Sequence, residues 1–108
     1  MKITAHKPNG IRLDFDNGVS LSTIWGNGTY SDNHDYDFNH PEIDITETYR
    51  KLIETGSTTV EFMFLDGDDK LINKMCKKYG SDDNPSGYIK VSKWIEMIAY
   101  LNKIDIKL

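Results

Sequence analysis

The chain has 108 residues, a net charge of −4, 38% hydrophobic residues and 28% charged residues. This length predicts one domain with a modest core, and the 11% aromatic content argues against a disordered chain. The sequence contains no apolar run of about 18 residues, so we expect no membrane span, and MKITAHKPNG lacks the apolar segment of a signal peptide. A single cysteine, Cys76, excludes an internal disulfide and a Cys-rich zinc site. It favours a reducing, cytoplasmic setting, with the thiol as a small buried hydrophobe.

The charge is unevenly distributed along the chain. Residues 1–69 contain 5 Lys and Arg and 13 Asp and Glu, whereas residues 70–108 contain 8 Lys and 4 Asp and Glu. The two parts therefore carry −8 and +4, which indicates either a dipolar surface or two ordinary solvated surfaces. The acidic total argues against a nucleic-acid partner and permits docking on a basic protein. A lysine stripe over 70–78 is typical of the solvated side of a helix, and contact with phosphates is the alternative.

Three N-terminal segments alternate apolar and polar residues, which predicts a three-stranded antiparallel meander over residues 1–25. Around Asn17-Gly18, a two-residue loop would place Phe15 beside Ser20 and mix apolar and polar residues on one face. A three-residue loop with Gly18 in the left-handed region instead pairs Phe15 with Val19 and, further along, Leu13 with Leu21. The same geometry at Pro8-Asn9-Gly10 predicts that Ala5 pairs with Leu13, and Ile3 with Phe15.

The remainder of the chain alternates helical and extended patterns. The predicted elements are a helix over 41–55, a strand over 58–65, a helix over 69–79 stopped by Gly80, a loop over 81–87, a short strand over 88–90, a last helix capped by Ser92, and a short strand or tail over 104–108. Trp94, Ile95, Met97, Ile98 and Leu101 are expected on the apolar side of the last helix. The predicted fold class is therefore α+β, with an antiparallel sheet of four to five strands packed with two to three helices.

The stretch from residue 26 to residue 39 has neither a helical nor a strand period. A loop of this length in a compact domain is usually functional or disordered. Aromatic side chains here would anchor a protein partner, and the acidic and amide groups around them would supply specificity. The alternative for Trp25 and Tyr30 is a core position that closes the sheet. The candidate binding residues are Trp25, Asn27, Tyr30, Asp32, Asn33, His34 and Tyr36.

The sequence does not match the catalytic and metal-binding motifs with which we compared it. Gly26-Asn27-Gly28 is not followed by the Lys and Ser or Thr that open a helix in a phosphate-binding loop. Asp32, Asp35 and Asp37 lack the glycine and the final glutamate of an EF-hand. The sequence shows neither carboxylates paired in a dry pocket nor a nucleophile elbow. We therefore predict no catalytic residue, metal or cofactor, and the alternative function is a small-molecule or nucleotide binder that uses Gly26–Asn33.

Two pieces of the chain carry a family resemblance. They are Trp25-Gly26-Asn27-Gly28-Thr29-Tyr30-Ser31-Asp32-Asn33 after a hairpin, and Gly87-Tyr88-Ile89-Lys90-Val91-Ser92 ahead of a helix. Together they resemble a diffuse group of small uncharacterised bacteriophage and prophage proteins, although segment 41–55 is longer than that group would suggest. The resemblance implies a phage origin and the host cell cytoplasm, and it brings no known active site. We expect a non-enzymatic phage accessory protein that binds and modulates a host protein, such as a defence component.

Overall fold

The structure, a computed structural model, describes residues 1–6, 9–25 and 57–107. These residues form an α+β fold of five strands and two helices, as predicted. In chain order the elements are β1 (Lys2–His6), β2 (Gly10–Asp14), β3 (Ser20–Ile24), β4 (Thr59–Asp66), α1 (Asp69–Tyr79), β5 (Ser86–Lys90) and α2 (Val91–Lys107). The predicted helix over 41–55 lies outside the described residues. Among the described helices, none is both long enough and apolar enough to span a bilayer.

The five strands form one antiparallel sheet in the order β1-β2-β3-β4-β5. Alternate residues of β2, β3, β4 and β5 point to one face, where they pack with both helices and form the core, whereas residues 2–5 of β1 are exposed. The buried apolar residues are Leu13, Phe15, Val19, Leu21, Val60, Phe62, Phe64, Met75, Cys76, Tyr79, Ile89, Met97 and Leu101. Burial raises the pKa of the Cys76 thiol, which confirms the expected structural role of this cysteine.

The β2–β3 hairpin has the predicted three-residue loop. Leu13 lies opposite Leu21, and the Phe15 backbone N–H donates to the Val19 carbonyl at 2.8 Å. The Gly18 N–H donates to the Phe15 carbonyl at 3.2 Å. Gly18 has a φ of +91°, the left-handed conformation that the loop requires and that glycine adopts without strain.

The predicted register of the first hairpin is wrong by two residues. Ile3 pairs with Leu13, and Gly10 is the first residue of β2, opposite His6. The reason is a long-range contact at Gly10. A Cβ atom there would lie 2.5 Å from the Thr23 carbonyl oxygen and 2.6 Å from Cγ2 of Ile24. The glycine is therefore needed for close approach of β2 to β3, and not for a turn.

Helix α1 has the predicted bounds because both of its ends are capped. The Asp68 carboxylate accepts from the Leu71 backbone N–H at 3.0 Å, and the Gly80 N–H donates to the Cys76 carbonyl at 3.1 Å. Such caps satisfy backbone groups that the helix itself leaves unpaired.

An asparagine side chain completes the pairing of β4. The Asn84 carboxamide accepts from the Phe64 N–H at 2.8 Å and donates to the Phe64 carbonyl at 3.0 Å. The β4–β5 register shifts between Val60 and Phe62, so Asn84 supplies the hydrogen bonds that a strand residue would make further along. The loop is therefore shorter than predicted, and β5 begins at Ser86.

Helix α2 differs from its prediction at both ends. It begins at Val91, directly after β5 and one residue before Ser92, and it continues to Lys107 where a strand or tail was expected. Asp105 anchors this extension, because its carboxylate accepts from the backbone N–H of Asn17 at 3.0 Å. Ile95 is 55% exposed and does not join the apolar side, since two residues of helical rotation separate it from the buried Met97.

Replacing Gly10 by alanine should lower the free energy of unfolding by about 1–3 kcal/mol, because the new methyl group meets the β3 backbone. Urea denaturation followed by circular dichroism measures the change. Gly18→Asn is the control, since no atom lies within 4 Å of the added Cβ and asparagine tolerates a left-handed backbone. Equal stability losses in the two variants would contradict the close approach at Gly10.

Replacing Asn84 by alanine should lower the free energy of unfolding by about 1–3 kcal/mol, because both backbone groups of Phe64 lose their partner. Asn73→Ala, on the exposed side of α1, should change it by less than about 0.5 kcal/mol. Hydrogen exchange of the Phe64 amide should accelerate in Asn84→Ala. An unchanged exchange rate would show that the carboxamide does not protect this strand.

Candidate binding surfaces

An apolar cavity of about 260 Å³ opens at one end of the sheet, beneath the first turn of α2. We call it the Trp25 cavity. Its described lining consists of Ile11, Thr23, Trp25, Ser57, Val60, Val91 and Trp94. Strands β2 and β3, the start of β4 and the start of α2 each contribute, so the cavity exists because the register brings these segments together.

Hydrogen bonds hold both tryptophans of the cavity. The Trp25 backbone N–H donates to the Asn9 carbonyl at 3.1 Å, and the Asn9 side-chain amide donates to the Trp25 carbonyl. The Trp94 indole N–H donates to Oγ1 of Thr23 at 2.9 Å, and Thr23 is only 1% exposed. The Trp94 side chain and the Trp25 backbone are therefore held in place before any ligand arrives, which lowers the entropy lost on binding.

The chemistry of the cavity is apolar. Its described lining carries no ionisable side chain, the Thr23 hydroxyl accepts from Trp94, and the Ser57 hydroxyl donates to the Thr59 carbonyl. The volume lies just below the roughly 300–1,000 Å³ of pockets for drug-sized molecules. The cavity therefore suits one or two apolar side chains better than a charged or phosphorylated ligand.

The structure describes one of the seven predicted binding residues, Trp25, and places it in the wall of this cavity. It is half-buried and packs against the core, as its alternative core role predicts, and its binding role stays a prediction. The other six, Asn27, Tyr30, Asp32, Asn33, His34 and Tyr36, lie outside the described residues and remain predictions. Sequence reasoning missed Trp94, whose helical spacing with Met97 and Leu101 indicated only a core position.

A second surface follows the outer side of α1. Its described lining, which bounds a shallow depression, consists of Lys70, Asn73, Lys74, Lys77 and Lys78. Lys74 donates to the Tyr100 hydroxyl at 3.1 Å, and the ammonium groups of Lys74 and Lys78 lie 5.1 and 5.8 Å from the Tyr100 ring centroid. The hydrogen bond from Lys74 and the surrounding positive charge lower the pKa of Tyr100.

A polar cluster on the opposite face of the sheet joins β2 to the start of β3. The Ser20 hydroxyl donates to Oδ1 of Asp14 at 2.6 Å, and Nε of Arg12 donates to the same oxygen at 3.0 Å. These two hydrogen bonds lower the pKa of Asp14, which makes this carboxylate a weaker base. In the described part of the chain, no group of three or more His, Cys, Asp or Glu residues is arranged to hold a metal ion.

Comparisons with protein-family models, with curated proteins and with solved structures find no match for this chain. The geometry and charge of the Trp25 cavity and of the outer side of α1 are therefore the basis for a functional assignment.

Breaking the Trp94–Thr23 hydrogen bond should destabilise the cavity wall. Thr23→Val keeps the shape of the side chain but leaves the indole N–H without this acceptor, so the free energy of unfolding should fall by about 1–3 kcal/mol. The Trp94→Phe variant lacks the donor, so adding Thr23→Val to it should lower the free energy of unfolding by less than it does in the wild type. A double-mutant cycle by urea denaturation measures the coupling, and strictly additive losses would contradict it.

Proposed function

We propose that this chain is a non-enzymatic phage accessory protein that binds a host protein, and that the Trp25 cavity receives an apolar side chain of that partner. The observation that carries the binding role is the apolar cavity that both tryptophans line, with the Trp94 indole held by Thr23. The phage origin and the host partner are supported by the motif that begins at Trp25 and by the Gly87–Ser92 piece, which resemble phage and prophage proteins.

The energetics of interfaces support such a role for the cavity. Tryptophan is enriched among residues that dominate binding energy, because its ring supplies a large contact area at little entropic cost. Trp25 also stands directly before the predicted loop, whose Tyr30, Asp32 and Tyr36 would extend the contact with aromatic area and a polar rim. In this proposal the protein acts in the host cytoplasm, and a defence component is the class of partner to test first.

The alternative, a nucleotide bound by Gly26–Asn33, requires groups that neutralise phosphate. The described lining of the Trp25 cavity provides no cation for that purpose. A thermal-shift panel of nucleotides and small metabolites tests this alternative directly. A rise in melting temperature with one of these compounds would support the alternative, and a flat panel would exclude it.

Replacing Trp25 by alanine should abolish capture of the host partner. Wild-type protein and Trp25→Ala are used as bait in a host lysate, and the captured partner is then purified and titrated calorimetrically against each variant. Loss of a central anchor costs about 2 kcal/mol or more, so the Kd should rise about 30-fold or more. Tyr30→Ala and Asp32→Ala extend the same titration to the predicted loop.

Ile95→Ala is the matched control, because it removes an exposed apolar side chain next to Trp94 that does not line the cavity. The chain contains two tryptophans, and both line the cavity, so emission from Trp94→Phe reports on Trp25 alone. That emission should shift on partner binding. Equal affinities of Trp25→Ala and Ile95→Ala, with both variants folded by circular dichroism, would refute the role of the cavity.

A further inference from the structure

The second surface offers a different chemistry. The lysine face comprises Lys70, Lys74, Lys77 and Lys78 of α1, with Asn73 between them and Tyr100 of α2 at its border. Lys103 also lies near enough to contribute to the lowered pKa of Tyr100. Packing of the two helices thus places Tyr100 beside the lysine stripe that is visible in the α1 sequence. Every side chain of this face offers a hydrogen-bond donor, and none is a carboxylate.

No described carboxylate pairs with a lysine of this face. Among the described residues, the ion pairs within 4.0 Å join the Met1 amino group to Asp16 and Arg12 to Asp14, and neither includes a lysine of α1. Like charges three and four residues apart destabilise a helix by a few tenths of a kcal/mol per pair. This repulsion works against α1, and an anionic partner would offset it.

Acidic residues bracket the lysine face at both ends of the helix. Asp68 and Asp69 stand at the start of α1, and Asp82 and Asp83 follow its end. The lysines from Lys70 to Lys78 span about 12 Å along the helix axis at 1.5 Å per residue. A partner surface that lies along α1 would therefore meet positive charge over this short length and negative charge near both ends of the helix.

We infer that the lysine face docks on a compact acidic patch of a protein partner. A nucleic acid carries a uniform negative charge that would also meet the bracketing aspartates, and the chain as a whole has a net charge of −4. A folded protein can place acidic residues opposite the lysines and basic residues opposite the aspartates. The charge pattern of the face thus selects a protein over a nucleic acid.

The contacts with Tyr100 prepare part of this surface for binding. The Lys74 and Lys78 ammonium groups lie over the Tyr100 ring, and Lys74 is also hydrogen-bonded to its hydroxyl. These contacts restrict two long side chains that would otherwise lose rotamer freedom on binding. The described linings of the lysine face and of the Trp25 cavity share no residue, so one surface can fail in an experiment while the other stands.

The test uses two short helical peptides. The first has a central row of glutamates with lysines at both of its ends, and in the second glutamines replace the glutamates. Fluorescence anisotropy should show binding of the glutamate peptide at about 20 mM salt, and much weaker binding at about 200 mM salt, where the Debye length is shorter. Lys70→Gln/Lys77→Gln should weaken binding about 2–30-fold, as expected for the loss of two exposed ion pairs. These two lysines make no described contact with Tyr100, so the border of the face stays intact.

Lys90→Gln/Lys93→Gln is the matched control, because it removes the same charge from exposed lysines outside the face and should change the Kd less than twofold. Asp82→Asn/Asp83→Asn should weaken binding of the peptide and strengthen binding of a single-stranded oligonucleotide. Tighter binding of the oligonucleotide than of the peptide to the wild type would overturn the inference, as would equal effects of the two lysine pairs. Salt-sensitive self-association that is lost in Lys70→Gln/Lys77→Gln would assign the face to a second copy of this chain, which also overturns it.

Discussion

The attachment of α2 to the β2–β3 hairpin at two distant points constrains the rest of the fold. Asp105 accepts a hydrogen bond from the Asn17 backbone at the hairpin turn, and Trp94 donates to Thr23 near the other end of β3. The two attachments on α2 are eleven residues apart, which corresponds to a rise of about 17 Å. The helix is therefore held at the hairpin turn and again at Thr23. A slip of one residue in β3 would turn Thr23 to the other face of the sheet and break the attachment.

Local signals were sufficient where the structure depends on local chemistry. The three-residue loop at Gly18 follows from alternation on both sides of one glycine, and α1 follows from a helical period between Asp68 and Gly80. Prediction failed where the role of a residue depends on a contact with a residue that is distant in the sequence. In the sequence Gly10 resembles a turn glycine, but in the structure its lack of a side chain allows β3 to approach β2 closely. Residues 104–107 resemble a tail because the hydrogen bond that continues the helix comes from Asn17, 88 positions earlier.

The two surfaces also differ in how much of each could be predicted from the sequence. The α1 part of the lysine face can be predicted from four lysines at helical spacing, whereas its border at Tyr100 depends on how α1 and α2 pack. The Trp25 cavity could not be predicted as a cavity, because its walls come from four segments that only the tertiary structure joins. Trp25 itself was recognisable, since it is the last residue of the alternating pattern and stands directly before a polar stretch.

Helix α2 contributes to both surfaces and so fixes their relationship. Its first turn supplies Trp94 to the Trp25 cavity, and Tyr100 borders the lysine face about 9 Å further along the axis. The helix is bonded at both ends to the sheet, and its buried Met97 and Leu101 are at most 1% exposed, so it cannot rotate without disrupting the core. A partner that used both surfaces would therefore need an apolar anchor and an acidic patch at one fixed separation. A protein that has only an acidic patch, or only an exposed apolar side chain, would satisfy half of that requirement. Selectivity would then arise from the rigid distance between two contacts that are individually modest.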